Sequence, residues 1–578
     1  MNEFVTVVDI NVDNQPVFNA DKTIAVVFNG KIFNLKTLKE ELAAGGRMFH
    51  TQTDAEVIVH GYEQWGIEVL LNKLDGAFVF SVNDTRSKTT YIVRDKLGVN
   101  PLYYFQDNTG IYAASTLKLL SKNKFPRIIS KEGLNLFLSL SYIPAPYTIY
   151  DNVFKLPAGN YITVHDGRVD VKAYYRLEEH IKSSSATFEQ AKEQLRQMLS
   201  DSVKIYMEND TPAGAFLSGG IDSSIVVGLM AQHAEKPVST FSIGFKEKEY
   251  DESDRAKLVS ETFHTNHTTH YLDYADVLDV LDDIIDYFDE PYGDSSAIPS
   301  YYAAKLASEK VEVVLTGDCA DELFGGYEKY LNEYYTKKYL RIPKPVRYLF
   351  EKSICFIPRT SKTNSLIRKI KKVVANASYS GFDANYQYMC MGCPDRMRVQ
   401  LVTPDYYADI KPVIEETYNR FHSGDSLNRV MFNDINTVLE GDMFPKVERM
   451  CRMNSLEARP PFLSAGMVEF ALSLPSAYKV NGKEKKYIVR EAFKDILPAK
   501  VFAYGKSGFR VPIAHWFRKE LKQELLNLLD KDKVAKQGIL NVDVVSSLIE
   551  QHLKGSMDNS PLLWNLFVFQ KWYAKNVV

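Results

Sequence analysis

The sequence predicts an α/β protein built from two units, a layered α+β unit followed by a parallel-sheet unit with a helical C-terminal part. Three observations predict it. Short β-rich runs broken by turns fill the stretch from Thr23 to Phe105. Beyond Ser239, apolar strands alternate with amphipathic helices, the pattern of a parallel sheet that gathers ligands at the carboxyl ends of its strands. Between the two lies the polar, Ser-rich run Lys182-Ser183-Ser184-Ser185-Ala186-Thr187, read as a linker. The units are accordingly placed at 1–178 and 186–578.

In chain order, Ile24 to Phe28 reads as a strand, and Asn29-Gly30 after it reads as a tight turn. Helices fit Leu35 to Leu42 and Ala55 to Trp65, the second opened by Thr53 and Asp54 as caps. Phe78 to Val82 and Tyr91 to Val93 are further strands. In the second unit Gly214 to Leu217 is a strand, Ile225 opens a helix, Ser239 to Phe245 is a strand, Ser253 to Thr262 a helix and Val311 to Leu315 a strand. The stretch 335–372 is rich in Lys and Arg, but Pro343 and Pro345 break it, and it reads as a solvated helical face.

Composition narrows the function classes. A chain of 578 residues, 45% hydrophobic and 25% charged, buries a large core. Its formal net charge of -3 gives no general attraction to nucleic acid or to an acidic membrane, and no apolar run approaches the roughly 20 residues a bilayer span needs. Five scattered cysteines and a start without a basic, apolar leader fit a reducing, cytoplasmic setting. Cys390-Met391-Gly392-Cys393 lacks a second ligand pair and reads as structural thiols rather than a zinc or redox site.

The chemistry starts at Leu217-Ser218-Gly219-Gly220-Ile221-Asp222-Ser223-Ser224. This small-residue loop between a strand and a helix points its backbone N–H groups toward an anion at the positive end of the helix dipole. Asp222 would repel a phosphate unless a hard cation stood between them, so the loop predicts Mg-ATP. It lacks the lysine of the G-x-x-x-x-G-K-[ST] loop, so transfer of the terminal phosphate is not expected. Following the strand at Leu315, Thr316-Gly317-Asp318-Cys319-Ala320-Asp321-Glu322 puts three carboxylates at a strand mouth. Asp222 and Asp321 can share a magnesium ion, while Asp318 can act as a base or orient a cation. Lys446 and Lys485-Lys486 supply cations in helix-like settings, as a departing pyrophosphate requires.

The order and wording of Leu217 to Ser224, Phe241 to Phe245, Tyr250 to Ser253, Asp289-Glu290-Pro291, Thr316 to Tyr327, Ser455 to Leu463 and Lys486 to Arg490 resemble the asparagine synthetase B family over nearly the whole chain. The resemblance implies an Ntn-hydrolase-like amidotransferase unit followed by an ATP-pyrophosphatase (adenine nucleotide alpha-hydrolase-like) unit that adenylates a carboxylate and lets ammonia displace AMP. It implies that Leu217, Ser218, Gly219, Gly220, Asp222, Ser223 and Ser224 hold the pyrophosphate, and that Ile243, Thr316 and Gly317 hold the adenosine and ribose. It further implies Asp222 and Asp321 as magnesium ligands, Lys446 beside the pyrophosphate, and Asp318 paired with Lys486 near the acyl centre. Gly293 to Pro299 lies where members of the family place substrate-facing residues. Cys319 stands where glycine is frequent, Glu448 and Ser464 where aspartate is.

The first unit departs from the family. Glutamine-hydrolysing members carry a cysteine nucleophile after the initiator Met; here the position holds Asn2, and the resemblance starts near Asp9-Ile10. The family's Asn-Gly-Glu is Asn29-Gly30-Lys31, an ammonium where a substrate amine would be held. Asn29, Gly30, Asp54 and the run Arg94 to Tyr104 remain, with a structural role expected. A degenerate or truncated glutaminase is therefore expected. The expected reaction is aspartate to asparagine with free ammonia or an amine. Alternatives are amidation of another carboxylate, such as a uronic acid, and intramolecular amide closure as in β-lactam or lasso-peptide cyclases. The expected partners are a small carboxylate and the amine, leaving room for a homodimer and a separate glutaminase.

Overall fold

The computed structural model describes residues 5–7, 15–51, 53–121, 125–207, 212–247, 250–347, 374, 381–390, 392–504 and 511–577. Asn2, Asp9, Ile10, Asn14, Met391 and the 348–372 part of the basic stretch lie outside them.

Two antiparallel-rich sheets form the N-terminal layers. Their strands are β1 (Val5–Val7), β2 (Val17–Phe18), β3 (Ile24–Ile32), β4 (Gly76–Asp84), β5 (Thr89–Arg94), β6 (Tyr103–Gln106), β7 (Ile111–Ala114), β8 (Val153–Lys155), β9 (Asn160–His165) and β10 (Arg168–Ala173). One sheet runs β10-β9-β5-β4-β3-β2, the other β1-β7-β6-β8. Strand alternation sorts the side chains between layers. Phe78 and Phe80 of β4 face the helices Leu35–Ala44 and Asp54–Lys73, while Val79 and Ile92 face Ile111 and Ala113 of the second sheet. The outer side of that second sheet, with Tyr103 and Phe105, joins the core shared with the C-terminal half.

Sequence and structure part at one strand here. Asn29-Gly30 is no turn but the interior of β3, where Gly30 pairs with Phe78. Gly30 holds φ +129, and a Cβ on it would lie 2.2 Å from the Ala77 carbonyl and 2.8 Å from the Asn100 amide. Close backbone approach, not chain reversal, explains this glycine. Helix Asp54–Lys73 outruns the expected Trp65 through a break at Gly66 (φ 71). Thr53 at its N-terminus makes no side-chain capping bond, its hydroxyl pairing instead with Thr51 Oγ1 at 2.8 Å, and Asp54 accepts from the Ile32 N–H at 2.7 Å.

The C-terminal half holds a parallel sheet ordered β13-β12-β11-β14-β15, from β11 (Ala213–Phe216), β12 (Ser239–Phe245), β13 (Asn266–Leu272), β14 (Val313–Leu315) and β15 (Glu457–Arg459). Helix Ile221–His233 packs Ile225, Val226 and Val227 into the core shared with Ala215, and Ala297–Ser308 covers the other face through Ala304 and Ala307 against Phe241 and Val314. The predicted helix start at Ile225 moves to Ile221: Asp222, Ser223 and Ser224 form its first turn, residue types that satisfy exposed N–H groups and complement the helix dipole there. A continuous helical run, Ser426–Asp434, then π-helical Ile435–Met443, then Phe444–Met453, crosses beneath the interface with the first half. The C-terminal helix Ser560–Asn576 closes the core with Trp572, whose indole donates to the Asp289 carbonyl at 2.8 Å. Among the described residues no helix is long and apolar enough to cross a membrane.

Candidate active site

Parallel pairing of β11 with β14 sets the two motif loops side by side at their carboxyl ends. The approach is close: a Cβ on Gly317 would lie 2.6 Å from the Ser223 amide nitrogen. Gly219 holds φ +72, and a Cβ there would meet the Ala256 backbone at 2.5 Å. The loop is braced from within. Ser223 Oγ lies 2.9 Å from Ser218 Oγ and 3.2 Å from the Ser218 amide, and the Leu217 N–H donates to the Phe241 carbonyl at 2.8 Å. Ser224 Oγ and Thr316 Oγ1, both buried, have no hydrogen-bond partner among the described residues. Two hydroxyls so placed cost stability unless a ligand meets them. Ile243 is buried in the middle of β12.

Lys486 completes the group. It occupies a left-handed position (φ 55) at the start of helix Tyr487–Ala492. Its ammonium bridges Asp222 and Asp321, the latter at 2.6 Å. Burial opposes its charge, but the two carboxylates outweigh burial and hold its pKa above the ordinary lysine value. The expected pairing was with Asp318; the side chain instead sits between the two predicted metal ligands. Gly326 makes room for it, since a Cβ there would lie 1.6 Å from Asp321 Oδ1 and 2.3 Å from Lys486 Cε. Cys319 adopts φ +77, which explains why glycine suits this position.

A second cluster was only partly legible. Lys446 Nζ donates to Asp294 Oδ2 at 2.8 Å, and Asp294 also accepts from Ser296 Oγ at 2.7 Å. Burial raises the Asp294 pKa less than Lys446 and these bonds lower it, so it stays ionised. Asp442 lies beside this pair and accepts from the Tyr292 hydroxyl. Sequence reading picked out Lys446 and the Gly293–Pro299 run, yet missed Asp442 and its partner Tyr292. The signal was the spacing of four between Asp442 and Lys446 on one helical run.

Two ion pairs fasten the halves together beside this cluster. Arg94 Nη1 meets Glu440 Oε1 at 2.7 Å, and Lys155 Nζ meets Glu290 Oε1 at 2.5 Å. Arg94 also donates to the carbonyls of Gly98, Asn100 and Leu156. In the first half, Lys31 Nζ lies 3.2 Å from Asp54 Oδ2. Cys390 and Cys393 are buried free thiols whose pKa values burial pushes up to about 12, the inert state of structural cysteines.

A parallel sheet with a glycine-rich loop, paired carboxylates and buried lysines at its carboxyl edge, set behind a layered amidotransferase unit, defines a carbon–nitrogen ligase. The asparagine synthase family model matches residues 194–574 and the glutamine amidotransferase domain model residues 2–175. The chain belongs to the asparagine synthase family. It is 30% identical to asparagine synthetase [glutamine-hydrolyzing] 1 of Bacillus subtilis, covering 99% of this chain and 89% of that protein. It is 31% identical to a putative asparagine synthetase [glutamine-hydrolyzing] of Mycobacterium bovis, over 99% and 88%. Asparagine synthetase B of Escherichia coli matches at 30% identity over 56% of each chain. The amidotransferase match begins at residue 2, ahead of the Asp9-Ile10 start read from the sequence, and corrects the expectation of a truncated unit: the amidotransferase domain is present.

Proposed function

We propose that this chain is an ATP-dependent, AMP-forming amide ligase that adenylates aspartate and joins it to free ammonia or an amine, without releasing that nitrogen from glutamine itself. The units are 1–178, a degenerate amidotransferase domain, and 186–578, the ligase. The observation that carries the ligase reading is the convergence of Asp222 and Asp321 on one buried ammonium, that of Lys486, at the mouth of the 217–224 loop. Two carboxylates that share a cation have the charge and spacing to hold Mg2+ in its place, and that ion supplies charge neutralisation to the leaving pyrophosphate. Ser218, Gly219, Gly220, Ser223 and Ser224 then donate to phosphate oxygens, with Leu217 as the strand-end anchor. Ile243, Thr316 and Gly317 flank the nucleoside. Lys446 offsets pyrophosphate charge, and Asp318 faces the acyl centre together with the displaced Lys486.

Aspartate as the acid follows the relatives, which are named asparagine synthetases. Those relatives are also named glutamine-hydrolysing, and here the Lys31–Asp54 pair supports a departure. An ammonium from the protein's own chain already neutralises Asp54, in the pocket where the family resemblance puts the substrate's amine. A glutamine ammonium entering there meets like charge.

Adenylation is tested by exchange of labelled pyrophosphate into ATP. Aspartate should stimulate the exchange, and Asp222→Ala or Asp321→Ala should abolish it while the fold is kept. Aspartate-dependent exchange that survives both substitutions would refute the assigned site.

A further inference from the structure

Between the two halves lies a cleft lined by Arg94, Tyr103, Tyr142, Lys155, Glu290 and Tyr292. Most of its charged groups are spoken for: Arg94 by Glu440, Lys155 by Glu290, and Arg449 by the Phe288 carbonyl and the Tyr103 hydroxyl. One acid behind the wall is held differently. Asp442 follows Gly441 in the π-helical segment and retains part of its surface open. It takes its hydrogen bond from Tyr292, a neutral donor, while the neighbouring Lys446 is bonded to Asp294. π-Helical turns of this kind re-aim side chains and recur at functional sites.

We propose that Asp442, held by Tyr292, is the proton acceptor that converts an arriving ammonium ion into the nucleophile for the acyl adenylate. The assignment rests on the proposed use of free ammonia. In the step, an N–H bond of ammonium breaks and an O–H bond forms on the Asp442 carboxylate, which loses its charge. The freed nitrogen lone pair attacks the acyl carbon, the C–O bond to AMP breaks with its electron pair leaving on AMP, and the second surplus proton departs with the AMP phosphate.

The surroundings suit a base. The groups facing Asp442 are Asp294, Lys446, Tyr292 and Tyr142. Burial and the Asp294 charge raise its pKa, Lys446 and the Tyr292 bond lower it, and the result is about 7. A carboxylate at that value is a far stronger base than an ordinary one, and about half of it is ionised at neutral pH.

The test compares ammonium with hydroxylamine, an amine already uncharged at neutral pH, as acceptor in reactions run with aspartate and Mg-ATP. In Asp442→Asn, amide formation from ammonium should fall about a hundredfold or more and lose its dependence on pH near 7, while hydroxamate formation and aspartate-dependent pyrophosphate exchange persist. Tyr292→Phe should shift the pH midpoint. Equal losses with both amines, or undiminished use of ammonium, would overturn the assignment. Absence of aspartate-dependent exchange in the unaltered enzyme would count against the proposed function instead. Asp442 is then read without turnover, by infrared difference spectra against Asp442→Asn: a carboxyl band titrating near neutrality upholds the accepting site, and its absence refutes it.

Discussion

Lys479 is the residue whose charge is least at home. It is fully buried under Gly325, donates to Asn428 Oδ1 at 2.8 Å, and burial pulls its pKa down to about 7 against a weak opposing pull from Asp425. Between about pH 7 and the unfolded value of 10.5, the unfolded chain therefore binds one more proton than the folded one. Stability from this group should rise with pH across that window, by roughly 5 kcal/mol in all, and fall away toward neutrality. Denaturant melts of Lys479→Met against the parent check this: the substituted protein should lack the alkaline rise. At the same scale, Lys31→Met should leave ammonium-dependent pyrophosphate release unchanged, since the Lys31–Asp54 pair stands apart from the ligase site; a steady-state assay checks it. The sequence exposed Asp222, Asp321 and Lys486 through their motifs, but not their mutual contact. Lys486 lies 264 residues from Asp222, and no local pattern encodes a meeting that the sheet order creates. Tyr292 and Asp442, 150 residues apart, were hidden for the same reason.

Among elements, β11, β12 and β14 of the parallel sheet were legible because apolar runs and flanking helices repeat in phase, whereas the polar, half-exposed edge strand β13 and the three-residue β15 carry no apolar run and were missed. Asn29-Gly30 misled because the dipeptide that usually closes a hairpin serves here as a point of backbone contact inside β3. That contact makes Gly30→Ala destabilising, through both its positive φ and the 2.2 Å approach to Ala77. The loop around Gly326 carries a sharper expectation. Gly326→Ala places a methyl group against Asp321 and Lys486, so nucleotide binding by calorimetry should be lost while the far-ultraviolet circular dichroism is retained. The break in helix Asp54–Lys73 at Gly66 was not foreseen, since a helical pattern continues on both sides of it.

At the scale of the whole molecule, the halves share one core. Tyr103 and Phe105 from the first half and Trp572, Phe567 and Leu563 from the last helix belong to the same buried cluster. The buried Arg94–Glu440 pair joins them electrostatically. Replacing Glu440 by Leu leaves Arg94 buried without its counter-charge, at a cost of about 3–5 kcal/mol, which a shift of the denaturant midpoint would reveal. Because the layers interlock, calorimetry should give a single unfolding transition rather than one per half. The amidotransferase unit thus shares its packing with the ligase half. The proposed enzyme adenylates aspartate and takes its nitrogen from free ammonia or an amine rather than from glutamine. Pyrophosphate release from Mg-ATP and aspartate, with ammonium chloride or glutamine as the nitrogen source, tests this. Release with ammonium and none with glutamine is the predicted result; glutamine-driven release with stoichiometric glutamate would contradict it.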